Sequence, residues 1–410
     1  MEQSIEHTSE SALLRAICCR EIQNSFLNRR KHNSPEDAER FAKILASEEC
    51  QSVIKDIAAG VHVFSVPVKK MISKFGTGKK RAVYVFEEYE MMAFRLIAQE
   101  LYRYDGMFSE NLYSFRSGHG VRNAMGVLRH AGRIGKMYGY KTDIHDYFNS
   151  IDTAQLLPSL KEDLGDDRLY AMFEGILTEK RVMFNHTVTE ESKGVMAGTP
   201  VSPFLANYYL KDMDAFFEKK DCIYMRYADD ILILADSKKK LEELRNNLFS
   251  IISRKGLEMN PKKEKFFSPG ETFDFLGFSV NQNEIDISRA SVEKMKQSIR
   301  RTSHSIRRWM LEKNAPVRGT VKAMIRKYDG KFFGYGDSDE LTWSRWYFPV
   351  ITTDRSLHEI DAYLQEELRY VATGKHNKGN FREMPYGTMK ELGYRTLVNG
   401  YYGGCQIGEK

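Results

Sequence analysis

The run Cys222-Ile-Tyr-Met-Arg-Tyr-Ala-Asp-Asp-Ile-Leu-Ile-Leu-Ala235 decides the fold. Two hydrophobic stretches, 222–225 and 231–235, flank the tetrapeptide Tyr227-Ala228-Asp229-Asp230. Short apolar runs on either side of a polar tip predict strand, tight turn, strand, with two carboxylates at the tip. A lone Asp-Asp pair is ordinarily a solvated turn. Here the flanks are strongly apolar, and adjacent carboxylates drawn toward a core repel each other and resist desolvation. Cations remove that penalty.

A third carboxylate lies upstream in similar surroundings. It is Asp143 in Met137-Tyr-Gly-Tyr-Lys-Thr-Asp-Ile-His-Asp-Tyr-Phe-Asn-Ser-Ile-Asp152. Tyr138, Tyr140 and Thr142 alternate as a short strand that delivers Asp143 at its end, with Tyr147 and Phe148 opening the turn beyond. Asp152 reads as structural. Three acids able to hold a pair of Mg²⁺ ions ~4 Å apart suit phosphoryl transfer.

Four further segments follow in a fixed order. Gly198-Thr-Pro-Val-Ser-Pro-Phe-Leu-Ala-Asn207 lies between the acids; Gly256-Leu-Glu-Met-Asn-Pro-Lys-Lys263 and Phe273-Asp-Phe-Leu-Gly-Phe278 come after them; Tyr113-Ser-Phe-Arg-Ser-Gly-His-Gly120 comes before. Together with the aspartates they resemble the motifs of reverse transcriptases over roughly residues 60–280. The resemblance implies an α+β right-hand polymerase, with fingers, an antiparallel palm sheet backed by helices, and a helical thumb. It also implies that Asp143, Asp229 and Asp230 are the catalytic, metal-binding residues, with the backbone carbonyl of Ile144 as an additional ligand. Two Mg²⁺ ions are the implied cofactor, with Mn²⁺ as an in vitro substitute.

Other roles carry over by the same resemblance. Lys74 and Arg81, in the glycine-containing basic hairpin 69–81, would meet the incoming triphosphate, a task that suits converging N–H groups and cations. Phe148 would lie beneath the sugar and exclude a 2′-hydroxyl. With Ala228 in the acidic box, that favours deoxynucleotides. Gly198 and Lys263 would also contact the nucleotide, Lys263 either as an acid toward pyrophosphate or as a salt bridge. Arg116, Ser202 and Pro203 would seat the template, and Leu276 and Gly277 would grip the primer. Arg116 has an equally good alternative as a structural ion pair. Ala197 departs from the Gln that many retroviral and group II intron enzymes carry before the motif glycine.

Composition sets the bounds. With 410 residues, 42% hydrophobic content and a mean hydropathy of −0.50, the chain is long enough for several subdomains, and no apolar stretch approaches a membrane span. The five cysteines are odd in number and show no paired spacing, which argues for a reducing, cytoplasmic setting. Net charge is +6, yet residues 289–327 hold twelve Lys/Arg against two acids. Arg300, Arg301, Arg307 and Arg308 recur at spacings of seven and share one side of a predicted helix, a candidate clamp on a nucleic-acid backbone. Ile299, Ile306 and Met310 face elsewhere.

Three regions are expected: a helical N-terminal extension over 1–60, fingers and palm over 61–280, and a basic helical thumb with C-terminal extension over 281–410. Ser34-Pro35-Glu36-Asp37 predicts a helix start. Residues 61–68 and 81–86 read as strands. A palm helix over 238–256 carries Leu241, Leu244, Leu248 and Ile252 as a buried stripe. Residues 328–338 read as a Gly-rich turn region and 357–370 as a helix. The stand-alone architecture resembles type 2 defence-associated bacterial reverse transcriptases. That implies a structured non-coding RNA template, dNTP substrates, a cDNA product, an antiphage role and no membrane partner. Alternative readings are a maturase-like RNA-binding protein and an untemplated or protein-primed polymerase of the abortive-infection kind.

Overall fold

The computed structural model describes residues 11–73, 80–282, 284–334 and 342–403. The chain divides into two units: Met1–Ala124 with Lys136–Pro269, and Met125–Gly135 with Gly270–Lys410. The N-terminal helices cluster with the first unit, whose last residue is Pro269.

In the first unit, helices Ala12–Ala16, Arg20–Asn33, Pro35–Leu45 and Glu48–Ala59 bury Leu14, Phe41 and Ile54. Ser34 accepts the Asp37 N–H and Pro35 occupies the first turn, so the expected start signal is the one used. Two antiparallel strands follow, β1 (Val68–Ser73) and β2 (Lys80–Val85). Residues 61–67 form no strand, which corrects the expectation for 61–68. Their apolar side chains lack a partner strand, and Val61 and Val63 are 68% and 89% exposed. The hairpin tip, with Lys74, lies outside the described residues.

The sheet that matters most comprises β3 (Tyr138–Asp143), β6 (Ile223–Tyr227), β7 (Asp230–Ala235) and β8 (Lys265–Phe267), all antiparallel in the order β6-β7-β3-β8. Between them in sequence, β4 (Arg181–Phe184) and β5 (Thr187–Glu190) join the first hairpin as β2-β1-β4-β5. Central β7 is buried from Ile231 to Ala235, which explains its unbroken apolar run. Helix Lys238–Arg254 packs on β3 and β7 through the expected stripe of Leu241, Leu244, Leu248 and Ile252. Gly139 is required where β3 crosses β8, because a Cβ there would meet the Phe267 ring at 1.8 Å. The edge of β6 is covered by backbone bonds from Arg226 N–H to Asn111 and from Tyr113 N–H to Arg226.

In the second unit, β9 (Phe273–Phe275), β10 (Phe278–Asn281) and β11 (Glu284–Ile287) form an antiparallel meander. Leu276 (φ 51°) and Gly277 (φ 88°) make the two-residue turn between β9 and β10, and two successive positive φ values match the right-handed twist of a hairpin. Helix Arg289–Glu312 packs on Val317–Phe333 and Arg355–Thr373. The turn expected from Tyr328 starts later, at Gly334 (φ 87°), because Tyr328 and Phe332 are buried and tertiary packing carries the helix through Gly330. The remainder of that region, 335–341, lies outside the described residues. Among the described residues no helix is long and apolar enough to cross a membrane. Helices with largely antiparallel sheets, β1 and β4 alone pairing parallel among the described strands, make the fold α+β.

Candidate active site

Asp143 is the last residue of β3 and stands in register with Asp230, the first residue of β7, while Asp229 occupies the turn between β6 and β7. That turn holds Ala228 in the left-handed region at φ 55°, at a cost of about 1–2 kcal/mol for a residue with a Cβ. Its surroundings fix it from three sides. The Ala228 N–H donates to Ser114 Oγ at 2.8 Å, Arg226 Nη1 donates to the Ala228 carbonyl at 3.2 Å, and the Ile144 N–H donates to the Asp229 carbonyl at 3.2 Å. Ser114 in turn donates to Asn207 Oδ1 at 3.2 Å, and Asn207 Nδ2 returns a bond to the Ser114 carbonyl at 2.8 Å.

Arg226 is fully buried, and its guanidinium grips Asp214, with Nε 2.7 Å from Oδ1. Tyr224 donates to the same carboxylate and Arg226 Nη2 also reaches the Asn207 carbonyl. An ion pair at this depth is tolerable only with its remaining donors and lone pairs satisfied. Here they are, and the turn bearing Asp229 is the beneficiary.

Asp143 is 3% exposed. Its Oδ2 binds the Lys263 ammonium, whereas its Oδ1 is buried without a hydrogen-bond partner. The segment bearing Lys263 is fastened alongside: the Asn260 N–H donates to the Asp143 carbonyl at 2.9 Å and the His145 N–H to the Glu258 carbonyl at 2.8 Å. Burial first, then the charges of Asp230 and Asp143, push the Asp229 carboxyl up to about 6. Asp230 is raised by burial and by Asp143, against the pull of Lys141. Partial burial alone would lower the Lys263 ammonium; its bond to Asp143 and the charges of Asp230 and Asp229 outweigh that and raise it.

Among the described residues no three or more His, Cys, Asp or Glu side chains stand in an arrangement ready to hold a metal ion. The three aspartates nevertheless fit a divalent cation. They share one corner, where burial and like charge make Asp229 and Asp230 resist ionisation and Asp143 leaves a buried acceptor oxygen unpartnered. The Lys263 ammonium already supplies positive charge at that corner. The Ile144 side chain is buried and its N–H faces Asp229.

The other expected residues fall in varied settings. Phe148 is half-buried, edge-on to Phe115 at 6.2 Å and Tyr147 at 5.8 Å, in the short helix Tyr147–Ser150 where a turn was expected. Gly198 is exposed beside β2; its φ of 105°, and the 3.0 Å that would separate an added Cβ from Val83 Cβ, both require glycine. The adjoining Ala197 carbonyl accepts the Tyr84 N–H, and Asn149 binds both the Ala197 N–H and the Ala82 carbonyl. Arg81 is exposed on β2. Asp152 caps helix Thr153–Leu164, as expected of a structural residue.

Two assignments are corrected, and of the two readings of Arg116 the structure has the ion pair: its side chain is 3% exposed, with Nε on Asp105 at 3.1 Å and Nη1 on the Ser109 carbonyl at 2.6 Å. Ser202 is fully buried and its hydroxyl binds the Met196 carbonyl at 2.7 Å, so it locks the motif loop instead of touching nucleic acid. Pro203 is half-buried in the first turn of helix Ser202–Tyr209. Arg307 in the second unit donates to the Val371 carbonyl at 2.8 Å and to the Tyr370 carbonyl at 3.3 Å, closing the end of helix Arg355–Thr373. Arg300, Arg301 and Arg308 line an open groove on helix Arg289–Glu312 with His304 and Ser305. Leu276 and Gly277 are half-buried in their turn.

Sequence reasoning missed the clamp formed by Ser114, Asn207, Asp214 and Arg226. One signal was available: Arg226 interrupts an otherwise apolar strand, and a charge there implies a buried partner. Phe115, strained at φ 54° and 43% exposed beside Phe148 and Tyr227, was also missed.

A fold that gathers three aspartates at one end of an antiparallel sheet, two on adjoining strands and one in the hairpin turn, defines a polymerase-palm class of protein. The family model for reverse transcriptase (RNA-dependent DNA polymerase) matches residues 72–280, just over half the chain, and the chain belongs to that family. It is similar to the retron Ec86 reverse transcriptase of Escherichia coli, at 29% identity over 185 residues, 44% of this chain and 54% of that one. It thus spans about half the length of that relative. Protein P of hepatitis B virus genotype C is 23% identical over 121 residues, 29% of this chain and 14% of the viral protein. Among solved structures, apo telomerase from Candida tropicalis aligns with a TM-score of 0.47 at 12% identity, covering 83% of this chain and 72% of that one. Telomerase from Candida albicans in complex with a telomeric RNA fragment aligns at 0.45 and 13% identity, covering 84% and 65%.

Proposed function

We propose that the chain is an RNA-directed DNA polymerase that copies a structured non-coding RNA into cDNA from dNTPs, in the cytoplasm of a bacterium and in antiphage defence. The observation that carries the polymerase reading is the corner of Asp143, Asp229 and Asp230, with its unpartnered Asp143 Oδ1. Asp143, Asp229 and Asp230, with the Ile144 carbonyl, would hold two Mg²⁺ ions. When bound, such ions lower the pKa of a primer hydroxyl and neutralise triphosphate charge.

The chain's own residues do the rest. The Ser114–Asn207 and Asp214–Arg226 contacts keep Asp229 in place, so its carboxylate needs little reorganisation on loading. Arg81, exposed on β2, is available to triphosphate oxygens. Lys263 stands on Asp143 and can hold its proton close to the departing pyrophosphate. Phe148 offers a ring face at the sugar, which favours deoxynucleotides. The antiphage role and the non-coding template rest on the resemblance to type 2 defence-associated enzymes, and the exposed Arg300 and Arg308 suit an RNA backbone.

The test is primer extension on an RNA template with Mg²⁺ and either dNTPs or NTPs. Wild-type protein should extend with dNTPs, Asp143→Asn and Asp229→Asn should abolish extension, and Phe148→Ala should admit NTPs. Wild-type protein that extends no primer on any RNA, including RNA co-purified from its native locus, would reject the reading.

A further inference from the structure

Three helices of the first unit each bring one arginine to a single phenylalanine. Arg30 on Arg20–Asn33, Arg40 on Pro35–Leu45 and Arg95 on Glu88–Glu100 hold their guanidinium carbons 6.0, 5.3 and 4.9 Å from the centroid of the Phe41 ring. Arg30 also lies 5.9 Å from the ring of Phe26, and the two buried rings, 5.8 Å apart, form an apolar floor. Attraction between guanidinium and ring face explains how each arginine is held. It does not explain why three like charges are gathered there.

The neighbouring acids do not balance them. Among the described residues none of the three guanidinium groups has a carboxylate within ion-pair distance. Burial first, then repulsion from Arg40 and Arg30, holds Arg95 below its ordinary value, against the weaker pull of Asp37 and Glu88. The buried arginines of the same unit are treated differently: Arg116 is paired with Asp105 and Arg226 with Asp214. A guanidinium cluster that is held in place, partly desolvated and short of counter-charge is organised for an anion.

We propose that Arg30, Arg40 and Arg95 form a phosphate-binding site for the backbone of an RNA, on the N-terminal helices and separate from the aspartates. Phosphate oxygens are the shared chemistry of a nucleic-acid backbone and a nucleotide triphosphate, and the site's form favours the backbone. Arg40 is exposed and Arg30 and Arg95 are half-buried, so the cluster is open to solvent. The identity of the polyanion as RNA rests on the polymerase reading above.

The experiment is anisotropy of a labelled RNA hairpin with the full chain, titrated at several KCl concentrations, for wild type, Arg40→Gln and the triple Arg30→Gln/Arg40→Gln/Arg95→Gln. Each lost phosphate contact lowers the slope of log affinity against log salt by about 0.7–0.9, so Arg40→Gln should lower it by that amount and the triple variant by about 2–3. Arg40→Gln alters an exposed side chain, and thermal melts of both variants check folding. Labelled dATP binding, measured in parallel, should be unchanged. Slopes equal to wild type, in variants that melt like it, would show that the stacked arginines only join helices and would overturn the proposal. Weakened dATP binding with intact RNA binding would overturn it in favour of a nucleotide site. Primer extension separates this inference from the polymerase reading: a wild type that extends no primer but shows the Arg40-dependent slope keeps the site and loses the polymerase.

Discussion

Burial and the nearby charges of Asp230 and Asp143 push Asp229 up to about 6, so a proton and a divalent cation compete for the same carboxylate. Above that value the carboxylate is ionised and pulls on a cation; below it the proton wins. Apparent Mg²⁺ affinity should therefore fall as pH drops from about 8 to about 5, and binding near neutrality should release a fraction of a proton. Isothermal titration in buffers of different ionisation enthalpy measures both. Asp229→Asn should abolish the proton release. An Mg²⁺ affinity that is flat across this range would remove Asp229 from the ligand set. Lys263 adds a second competitor, since its ammonium must share Asp143 with any arriving cation.

At the scale of the element, the hairpin β6-turn-β7 is bound on both sides of Ala228. Ser114→Ala would leave the Ala228 N–H and Asn207 Oδ1 without their partner in a fully buried place, while Asn207 Nδ2 keeps the Ser114 carbonyl, a loss of about 1–3 kcal/mol. The strained φ at Ala228 loses its restraint at the same time. The expected outcome is a lower melting temperature and a larger fall in Mg²⁺-dependent extension than in RNA binding. Equal falls in both would mean that the hydroxyl supports the fold in general and not the turn. This hairpin also marks what the sequence made legible. Apolar runs, acids at a turn, the leucine stripe of helix Lys238–Arg254 and the Ser34 cap are local signals, and each is found where periodicity or capping chemistry put it. The clamp was not legible, because Ser114, Asn207, Asp214 and Arg226 are far apart in sequence and meet only through packing. For the same reason, Arg116 could not be assigned until Asp105 was seen beside it. Residues 61–67 show the opposite error: apolar residues without a partner strand do not make one.

For the molecule as a whole, the second unit carries its own acid with a raised pKa. Asp361, on helix Arg355–Thr373, is 5% exposed and accepts the N–H groups of Leu397 and Val398 at 2.8 and 3.1 Å, which fastens helix Leu397–Tyr402 to the unit. Those bonds favour its charge, but burial outweighs them and pushes the carboxyl up to about 6 from 3.8. The folded state therefore takes up this proton before the unfolded chain does, so the contribution to stability is greatest below about 3.8 and declines as pH rises through about 6. A difference of about two pH units corresponds to about 3 kcal/mol. Carboxylates held low by cations act in the opposite direction. Asp163, bonded to Lys211, and Glu359, bonded to Lys296, lose their contribution as pH falls into the ordinary carboxylate range. The gain from Asp361 should thus be visible between about pH 5 and pH 7, with metal absent so that Asp229 is not tied to a cation. Thermal melts of wild type and Asp361→Asn across that window isolate it. Wild type should lose stability as pH rises while the variant, which carries no titrating group at this position, shows a shallower decline. Parallel curves would mean that Asp361 remains charged in the fold, with its two N–H donors outweighing its burial.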